Sequence, residues 1–227
     1  VQGAIEEALA RMHGHPVRIQ GAGRTDTGVH ATGQVANFHT DLDSIPGPRW
    51  NLALNSYLPH DVRVLESREV GMGFDAKECA VLRAYAYYLY TAPVGPPHIR
   101  RYCWKIARRP DLGALNRLAA VFVGDHDFTT FAAAGDPSKS KVRRVVSCCF
   151  HPEGPFQVFR IAAGSFVWKM VRSLLGTLLE YEEHGRPPAE LAEALAARDR
   201  FRAGASAPAR GLFLERVVYD GEESLPF

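Results

Sequence analysis

The sequence predicts an α+β fold with a largely antiparallel sheet. Strand and helix patterns are interleaved along its 227 residues, and strands that pair as hairpins outnumber strict strand–helix–strand units. The composition is that of a globular protein, because 46% of the residues are hydrophobic and 23% are charged. These proportions exclude a disordered chain, a collagen and a coiled coil, and the length suffices for a core without disulfide or metal.

The first part of the chain alternates helices with short strands. Apolar residues recur at helical spacing from Val1 to Met12, and Gly14 follows as a helix-ending residue. The elements expected next are strands at residues 16–20 and 34–39, a short helix at residues 50–57 and a strand at residues 61–70. Gly71 and Gly73 then mark a boundary, so we expect one domain over residues 1–72 and a second over residues 73–227.

The second part opens with a strand rich in tyrosine, RAYAYYLY at residues 83–90. The elements expected after it are a strand at residues 102–107, a helix at 112–122, a hairpin of strands 142–150 and 156–162, a helix with an apolar stripe over 166–178, a helix at 189–198 and a strand at 212–219. The order of elements is similar on the two sides of Gly71, which hints at two related halves.

Charge and cysteine usage limit the class of protein. The net charge of +2 permits a polyanionic partner without requiring one. The four cysteines show neither CxxC spacing nor the density of a secreted scaffold, so we expect buried free thiols. No apolar run approaches the about 18 residues of a membrane span, and the N-terminal segment is too charged for a signal peptide, so we expect a cytoplasmic protein.

The turn GAGRTDTGVH at residues 21–30 is the densest cluster of residues that suit chemistry. Its glycines let the backbone turn tightly and bring Asp26 beside Arg24, whose charge would keep the carboxylate ionised. Such an aspartate acts as a nucleophile or a base. The alternative is that Asp26 only caps the turn and pairs with Arg24 on the surface.

Other binding motifs fit this turn less well. It lacks the GK[ST] ending of a P-loop and the third glycine of the dinucleotide-binding fingerprint. A metal site would collect Asp26, His30, His39 and Asp41, but no HExxH-type pair places two ligands on one helix face.

Two further features suit RNA. Tyr85 and Tyr87 share a strand face with Arg83, an arrangement on which an unstacked base can lie, although most of these tyrosines are expected to fill the core. Basic clusters near Arg100, Lys105 and Lys141 suit a phosphate backbone or a solvated surface. Lys169 and Arg172 stand three apart on a helix, so one of them either reaches an inward carboxylate or extends along the surface.

Five sequence blocks occur in the order typical of one family. They are AGRTDTGVHATGQVANF at residues 22–38, FDAKECAVLRAYAY at 74–87, HDFTTF at 126–131, FVWKMVRSLLG at 166–176 and RDRFRAGASAPARGLFLERVVY at 198–219. Through these blocks the chain resembles the TruA-type tRNA pseudouridine synthases.

The resemblance implies roles for four residues. Asp26 corresponds to the essential aspartate, with Arg24 beside it in the same turn. Tyr85 corresponds to the tyrosine that stacks on the target base, and Arg172 to an arginine that pairs with the catalytic carboxylate. The fold implied is two RRM- or ferredoxin-like subdomains with a central active-site cleft.

The resemblance also implies the reaction. Such enzymes convert uridine to pseudouridine at positions 38, 39 and 40 of the tRNA anticodon stem-loop, without metal or cofactor, as homodimers in which one tRNA contacts both subunits. The carboxylate would attack C1′ or take a proton from C2′, and both routes stay open. The rival interpretation is a non-catalytic RNA-binding relic of the same fold, which the presence of Asp26 disfavours.

The chain departs from the family pattern in three ways. The strand that normally precedes the helix at Val1 is absent, so we expect the N-terminal subdomain to lack its first strand. Asp75 and Lys77 stand where His and Arg are usual, and Arg210 occupies a variable position before a glycine.

Overall fold

A computed structural model of the chain describes residues 1–221. The α-helices are α1 (Gln2–His13), α2 (Trp50–Asn55), α3 (Leu112–Ala119), α4 (Met170–Glu183) and α5 (Pro188–Ala196). The strands are β1 (Gln20–Gly21), β2 (His30–Ala31), β3 (Ala36–Asn37), β4 (Ala80–Tyr90), β5 (Trp104–Lys105), β6 (Gly124–Asp127), β7 (Val142–Glu153), β8 (Phe156–Ala163) and β9 (Leu212–Tyr219).

The chain forms two compact units. Unit 1 comprises Val1–Arg24 and Gln34–Ala80, and unit 2 comprises Thr25–Gly33 and the chain from Val81 onward. The turn that carries Asp26 therefore groups with the later part of the chain. The domain boundary between residues 72 and 73 stays a prediction.

Unit 1 has its own small core. Helix α1 ends as predicted at Gly14, which adopts φ +74° and donates its N–H to the carbonyl of Ala10. Leu9 of α1 is fully buried in a cluster that includes Trp50 and Leu54 of α2. Strands β1 and β3 pair antiparallel, but each is only two residues long.

The strand predicted at residues 61–70 is wrong, because this segment is irregular. Its backbone bonds to side chains of α2 instead of to a strand. Asn55 donates to the carbonyl of Val64 and accepts from its N–H, both at 2.8 Å. Asn51 donates to the carbonyl of Leu65 at 3.3 Å. These amides satisfy the same backbone groups that a neighbouring strand would have paired.

The sheet of unit 2 confirms the α+β class, although it is mixed rather than simply antiparallel. The strand order is β2-β9-β4-β8-β7-β6, with β5 beside β4. Strand β8 pairs antiparallel with β4 and β7, and β7 with β6. Short parallel pairings join β2 to β9 and β4 to β5.

Helices α3, α4 and α5 contribute to one hydrophobic core with this sheet. The fully buried core residues include Tyr87 and Leu89 of β4, Phe159 and Ile161 of β8, Leu115 of α3, Leu174 and Leu178 of α4, and Leu191 of α5. Burial of Tyr87 confirms that part of the tyrosine-rich strand builds the core. No helix within residues 1–221 has the length and apolar character needed to cross a membrane.

The cysteines are all free thiols, as predicted, but only two of them are buried. Cys103 and Cys148 are buried, whereas Cys149 is partly buried and Cys79 is exposed. Burial raises the pKa of Cys148 well above its usual value, which makes that thiol unreactive.

Candidate active site

The Asp26 turn is defined by one backbone hydrogen bond and one glycine. The N–H of Val29 donates to the carbonyl of Asp26 at 3.0 Å. Gly28 is the third residue of this four-residue turn and has φ +84°. Residues other than glycine rarely adopt this backbone conformation. The chain then enters β2, whose His30 lies opposite Phe213 of β9. The turn is therefore fixed to the sheet immediately after the carboxylate.

Arg172 of α4 forms an ion pair with Asp26. Its Nη1 donates to Oδ2 of Asp26 at 2.9 Å, while its Nε donates to the carbonyl of Ala207 at 2.7 Å. The Arg172 side chain is 16% exposed and that of Asp26 is 34% exposed. The guanidinium is thus held from two sides, and it stabilises the negative charge of a carboxylate that solvent still reaches. This contact confirms the inward orientation of Arg172, one of the two alternatives left open by its helical position.

Helix α4 begins four residues later than its apolar stripe indicates. Lys169 precedes the helix with φ +59°, and its side chain is exposed. Arg172 therefore lies in the first turn of α4, and it is Arg172 rather than Lys169 that turns inward.

Gly176 explains why Ala207 can reach Arg172. A Cβ atom at Gly176 would lie 1.7 Å from the carbonyl oxygen of Ala205, a distance that no side chain tolerates. The segment containing Ala205 and Ala207 consequently lies directly against α4. The N–H of Ala207 also donates to the carbonyl of Arg172 at 3.0 Å, so this segment contacts both the backbone and the side chain of the arginine.

Asp136 connects a loop to the segment that leads into α4. Its carboxylate accepts hydrogen bonds from Lys141 Nζ and from the N–H groups of Ser138 and Trp168. Burial acts to raise the pKa of Asp136, but these donors outweigh it and hold that pKa well below its usual range. No sequence pattern predicted a role for Asp136. Its spacing to Ser138 in the run Asp-Pro-Ser is a signal for such a side-chain-capped turn.

Tyr85 lies on β4 on the same face as Arg83 and Tyr87, as predicted. Its ring is partly buried and meets Phe166 edge-on, with ring centroids 5.1 Å apart. Burial raises the pKa of Tyr85 to about 12, and the negative charge of Asp26 adds to this rise, whereas Arg83 opposes it. The structure thus brings a neutral aromatic ring into the electrostatic field of the Asp26 carboxylate.

Arg24 is exposed and lies at the end of the first segment of unit 1. Its predicted place beside Asp26 stays a prediction.

The metal alternative finds no support in the arrangement of side chains. Within residues 1–221, no group of three or more His, Cys, Asp or Glu residues is placed to hold a metal ion. Asp41 bonds to His15 at 3.1 Å, and His30 Nε2 donates to the carbonyl of Arg101 at 2.9 Å. Asp26 pairs with Arg172, so three of the four candidate ligands have other partners.

Asp75, one of the departures from the family pattern, has a local structural role. Its side chain accepts from the N–H groups of Lys77 at 2.7 Å and Glu78 at 2.9 Å. The carboxylate therefore caps a turn within unit 1.

Comparison with known proteins decides the family. The family model described as tRNA pseudouridine synthase matches residues 1–77 and 118–220. The chain belongs to the tRNA pseudouridine synthase family. Asp26 and Arg172 lie within the matched segments, whereas Tyr85 lies in the stretch between them.

Three bacterial members of this family illustrate the similarity, and each is named tRNA pseudouridine synthase A. The protein of Treponema denticola is 42% identical over 219 residues, which cover 96% of this chain and 82% of the relative. That of Moorella thermoacetica is 44% identical over 219 residues, covering 96% and 89%. That of Geobacillus kaustophilus is 40% identical over 223 residues, covering 98% and 86%.

Proposed function

We propose that this chain is a tRNA pseudouridine synthase, an isomerase that converts uridine to pseudouridine at positions 38, 39 and 40 of the tRNA anticodon stem-loop. The observation that carries the proposal is the ion pair between Asp26 and Arg172. It supplies a charged, solvent-accessible carboxylate in a fixed orientation, within a chain whose family isomerises uridine in tRNA.

The proposed reaction needs no external reactant. The bond between N1 of uracil and C1′ of ribose breaks, and a bond between C5 and C1′ forms. N1 gains a proton and C5 loses one, so the atoms balance. The Asp26 carboxylate either attacks C1′ to give a covalent sugar–enzyme ester or takes a proton from C2′ to give a glycal. Arg172 orients the carboxylate for both routes through the hydrogen bond from its Nη1.

Tyr85 holds the detached base in this proposal. The target nucleotide lies in or next to a base-paired stem, so it is flipped out before it reacts. Uracil presents a flat face on which the Tyr85 ring stacks. The edge-on contact with Phe166 supports this role, because it fixes the orientation of the ring without covering both of its faces.

The wider assembly follows the family in this proposal. It comprises RRM-like subdomains with a central active-site cleft, a homodimer in which one tRNA contacts both subunits, a cytoplasmic location and no cofactor. Arg24 completes the proposed site beside Asp26. The rival, a non-catalytic RNA-binding relic, is disfavoured because a relic has no need of the Asp26–Arg172 pair.

Tritium release from tRNA transcripts labelled at uracil C5 tests the proposal. We expect release by the wild type and by Asp220→Asn, an exposed matched control. Asp26→Asn is expected to release none while binding tRNA within about tenfold of the wild type, or about 1.4 kcal/mol. An active Asp26→Asn protein would overturn the role of Asp26. A wild type that binds tRNA without releasing tritium would favour the relic, and loss of release in EDTA would revive the metal alternative.

A further inference from the structure

A basin of about 550 Å³ opens in unit 2 next to the Asp26 turn. Gly28 and His30, which follow Asp26 in the chain, line it together with Arg210 and side chains from residues 95–105. The basin therefore shares its wall with the segment that carries the proposed catalytic carboxylate.

Positive charge dominates the lining of the basin. Arg100, Arg101, Lys105 and Arg210 line it and are all exposed, and no Asp or Glu is among the lining residues. Within residues 1–221, none of these four cations lies within 4.0 Å of a carboxylate oxygen, in contrast to Arg108, Arg160 and Arg172 of the same unit. An uncompensated group of four cations in a concave surface attracts anions.

Two of these cations are partly anchored. Lys105 Nζ donates to the carbonyl of Pro93, and Arg210 Nε donates to the carbonyl of Cys103 at 3.2 Å. A guanidinium has five N–H donors and an ammonium has three, so each side chain keeps further donors for a ligand. Anchoring lowers the conformational entropy that these side chains lose when an anion binds.

An exposed aromatic ring packs against His30, one of the residues that line the basin. Tyr102 is 52% exposed and packs against His30, with ring centroids 5.0 Å apart. His30 in turn stacks on Phe213 at 4.8 Å and donates from Nε2 to the carbonyl of Arg101 at 2.9 Å. Proteins bind single-stranded nucleic acid with aromatic rings beside cationic side chains, because the bases stack on the rings and the cations contact the phosphates. A free phosphate ion has no base that could stack on the ring.

We propose that this basin binds a backbone phosphate of the tRNA close to the target nucleotide, through Arg100, Arg101, Lys105 and Arg210. The inference rests on the proposed function, because it assigns part of the tRNA to a surface beside the same site. Most of the lining lies within residues 78–117, outside the match to the family model, so family membership alone does not assign it. Bound phosphate would fix the register of the RNA relative to Asp26, since His30 joins the basic segment to the strand that follows the turn.

Salt-dependent tRNA binding tests the basin. We expect Arg210→Gln and Lys105→Gln each to raise the Kd and KM for tRNA about threefold to tenfold. The slope of log Kd against log salt should fall by about 0.7–0.9 for each phosphate that the variant no longer neutralises. Arg210→Lys keeps the charge and should keep the slope. Arg117→Gln, which removes an exposed arginine of α3 outside the basin, should bind as the wild type does.

A second arm distinguishes RNA from a small phosphate ligand. Inorganic phosphate and uridine monophosphate are titrated into the wild type and Arg210→Gln by calorimetry. We expect neither to saturate the wild type below about 10 mM, because a single bound phosphate provides little affinity without the rest of the tRNA. The proposal would be overturned in favour of a small-molecule site by the following result. Phosphate or uridine monophosphate binds the wild type with a submillimolar Kd, Arg210→Gln abolishes that binding, and tRNA does not compete with it.

Unchanged Kd and salt slope in both Gln variants, with unchanged melting temperatures, would also overturn it. Either result leaves tritium release by the wild type intact, so failure of the basin is distinguishable from failure of the proposed function.

Discussion

Arg172 Nη1 donates to Asp26 Oδ2 at 2.9 Å and joins side chains that are 146 residues apart in the chain. The same guanidinium donates from Nε to the carbonyl of Ala207. The contact with Ala207 fixes the position of the guanidinium, and the contact with Asp26 orients the carboxylate. The carboxylate is therefore oriented by a group that is itself held in place, which is what a reaction at a single ribose carbon requires.

Replacing Arg172 by lysine should lower kcat about tenfold to hundredfold. A lysine keeps the charge, but its single ammonium cannot reproduce the fork that contacts Asp26 and Ala207 together. Loss of a charge-assisted hydrogen bond costs about 1.5–3 kcal/mol, which corresponds to this range when the bond acts in the transition state. Single-turnover tritium release measures the effect, with Arg117→Lys as the control. A wild-type rate for Arg172→Lys would show that charge alone suffices.

Tyr85→Phe should be less damaging than Tyr85→Ala. Phenylalanine keeps the aromatic face and the contact with Phe166, so we expect a loss in kcat/KM of less than about tenfold. Alanine removes the stacking surface and should cost at least about a hundredfold. Thermal melts of both variants separate this effect from loss of folded protein. Equal and nearly complete losses would mean that the hydroxyl itself takes part in the chemistry.

Asp136→Asn should destabilise the protein by about 2 kcal/mol at pH 7, because three donors lose a charged acceptor. The pKa of Asp136 is lower in the folded state than its ordinary value of 3.8. Its stabilising effect is therefore complete above pH 3.8 and is lost as the pH falls through the folded pKa. Urea unfolding of the wild type and the variant between pH 2 and 7 measures the difference, which should shrink on acidification. A constant difference for Asp136→Asn over this pH range would contradict the expectation.

Gly176→Ala should destabilise the protein by about 1–3 kcal/mol although alanine favours helices. The added Cβ meets the carbonyl oxygen of Ala205, and the displaced segment takes the carbonyl of Ala207 away from Arg172. We therefore expect kcat to fall as well. Gly3→Ala in α1 is the matched control, since a Cβ there meets nothing within 4 Å and should stabilise by up to about 1 kcal/mol. Equal stability of the two variants would show that residues 205–207 can be displaced at little cost in free energy.

Local patterns predicted the long elements well. The hairpin β7–β8, the tyrosine strand β4 and the closing strand β9 each carry enough strand-forming residues to be read from the sequence. Asp26 stood out because its turn combines glycines with opposite charges. The position of Arg172 on its helix did not predict whether its side chain points inward. A helix face does not reveal which carboxylate another part of the chain will supply.

The failures share a physical cause. Residues 61–70 alternate as a strand does, yet Asn51 and Asn55 supply the backbone partners that a strand would have provided. Asp136 and Gly176 likewise owe their importance to residues that approach from elsewhere in the chain. Contacts of this kind depend on tertiary packing, and a local period carries no information about them.

The pairing of β2 with β9 has a consequence for synthesis of the protein on the ribosome. His30 is made well before its partner Phe213, and Asp26 is made 146 residues before Arg172. At about 5–20 residues per second, about 7–30 seconds pass between synthesis of Asp26 and synthesis of Arg172, which orients it. A nascent chain that has not yet reached Arg172 therefore carries the aspartate without the arginine that orients it, and the Asp26–Arg172 pair forms only after that residue has been made.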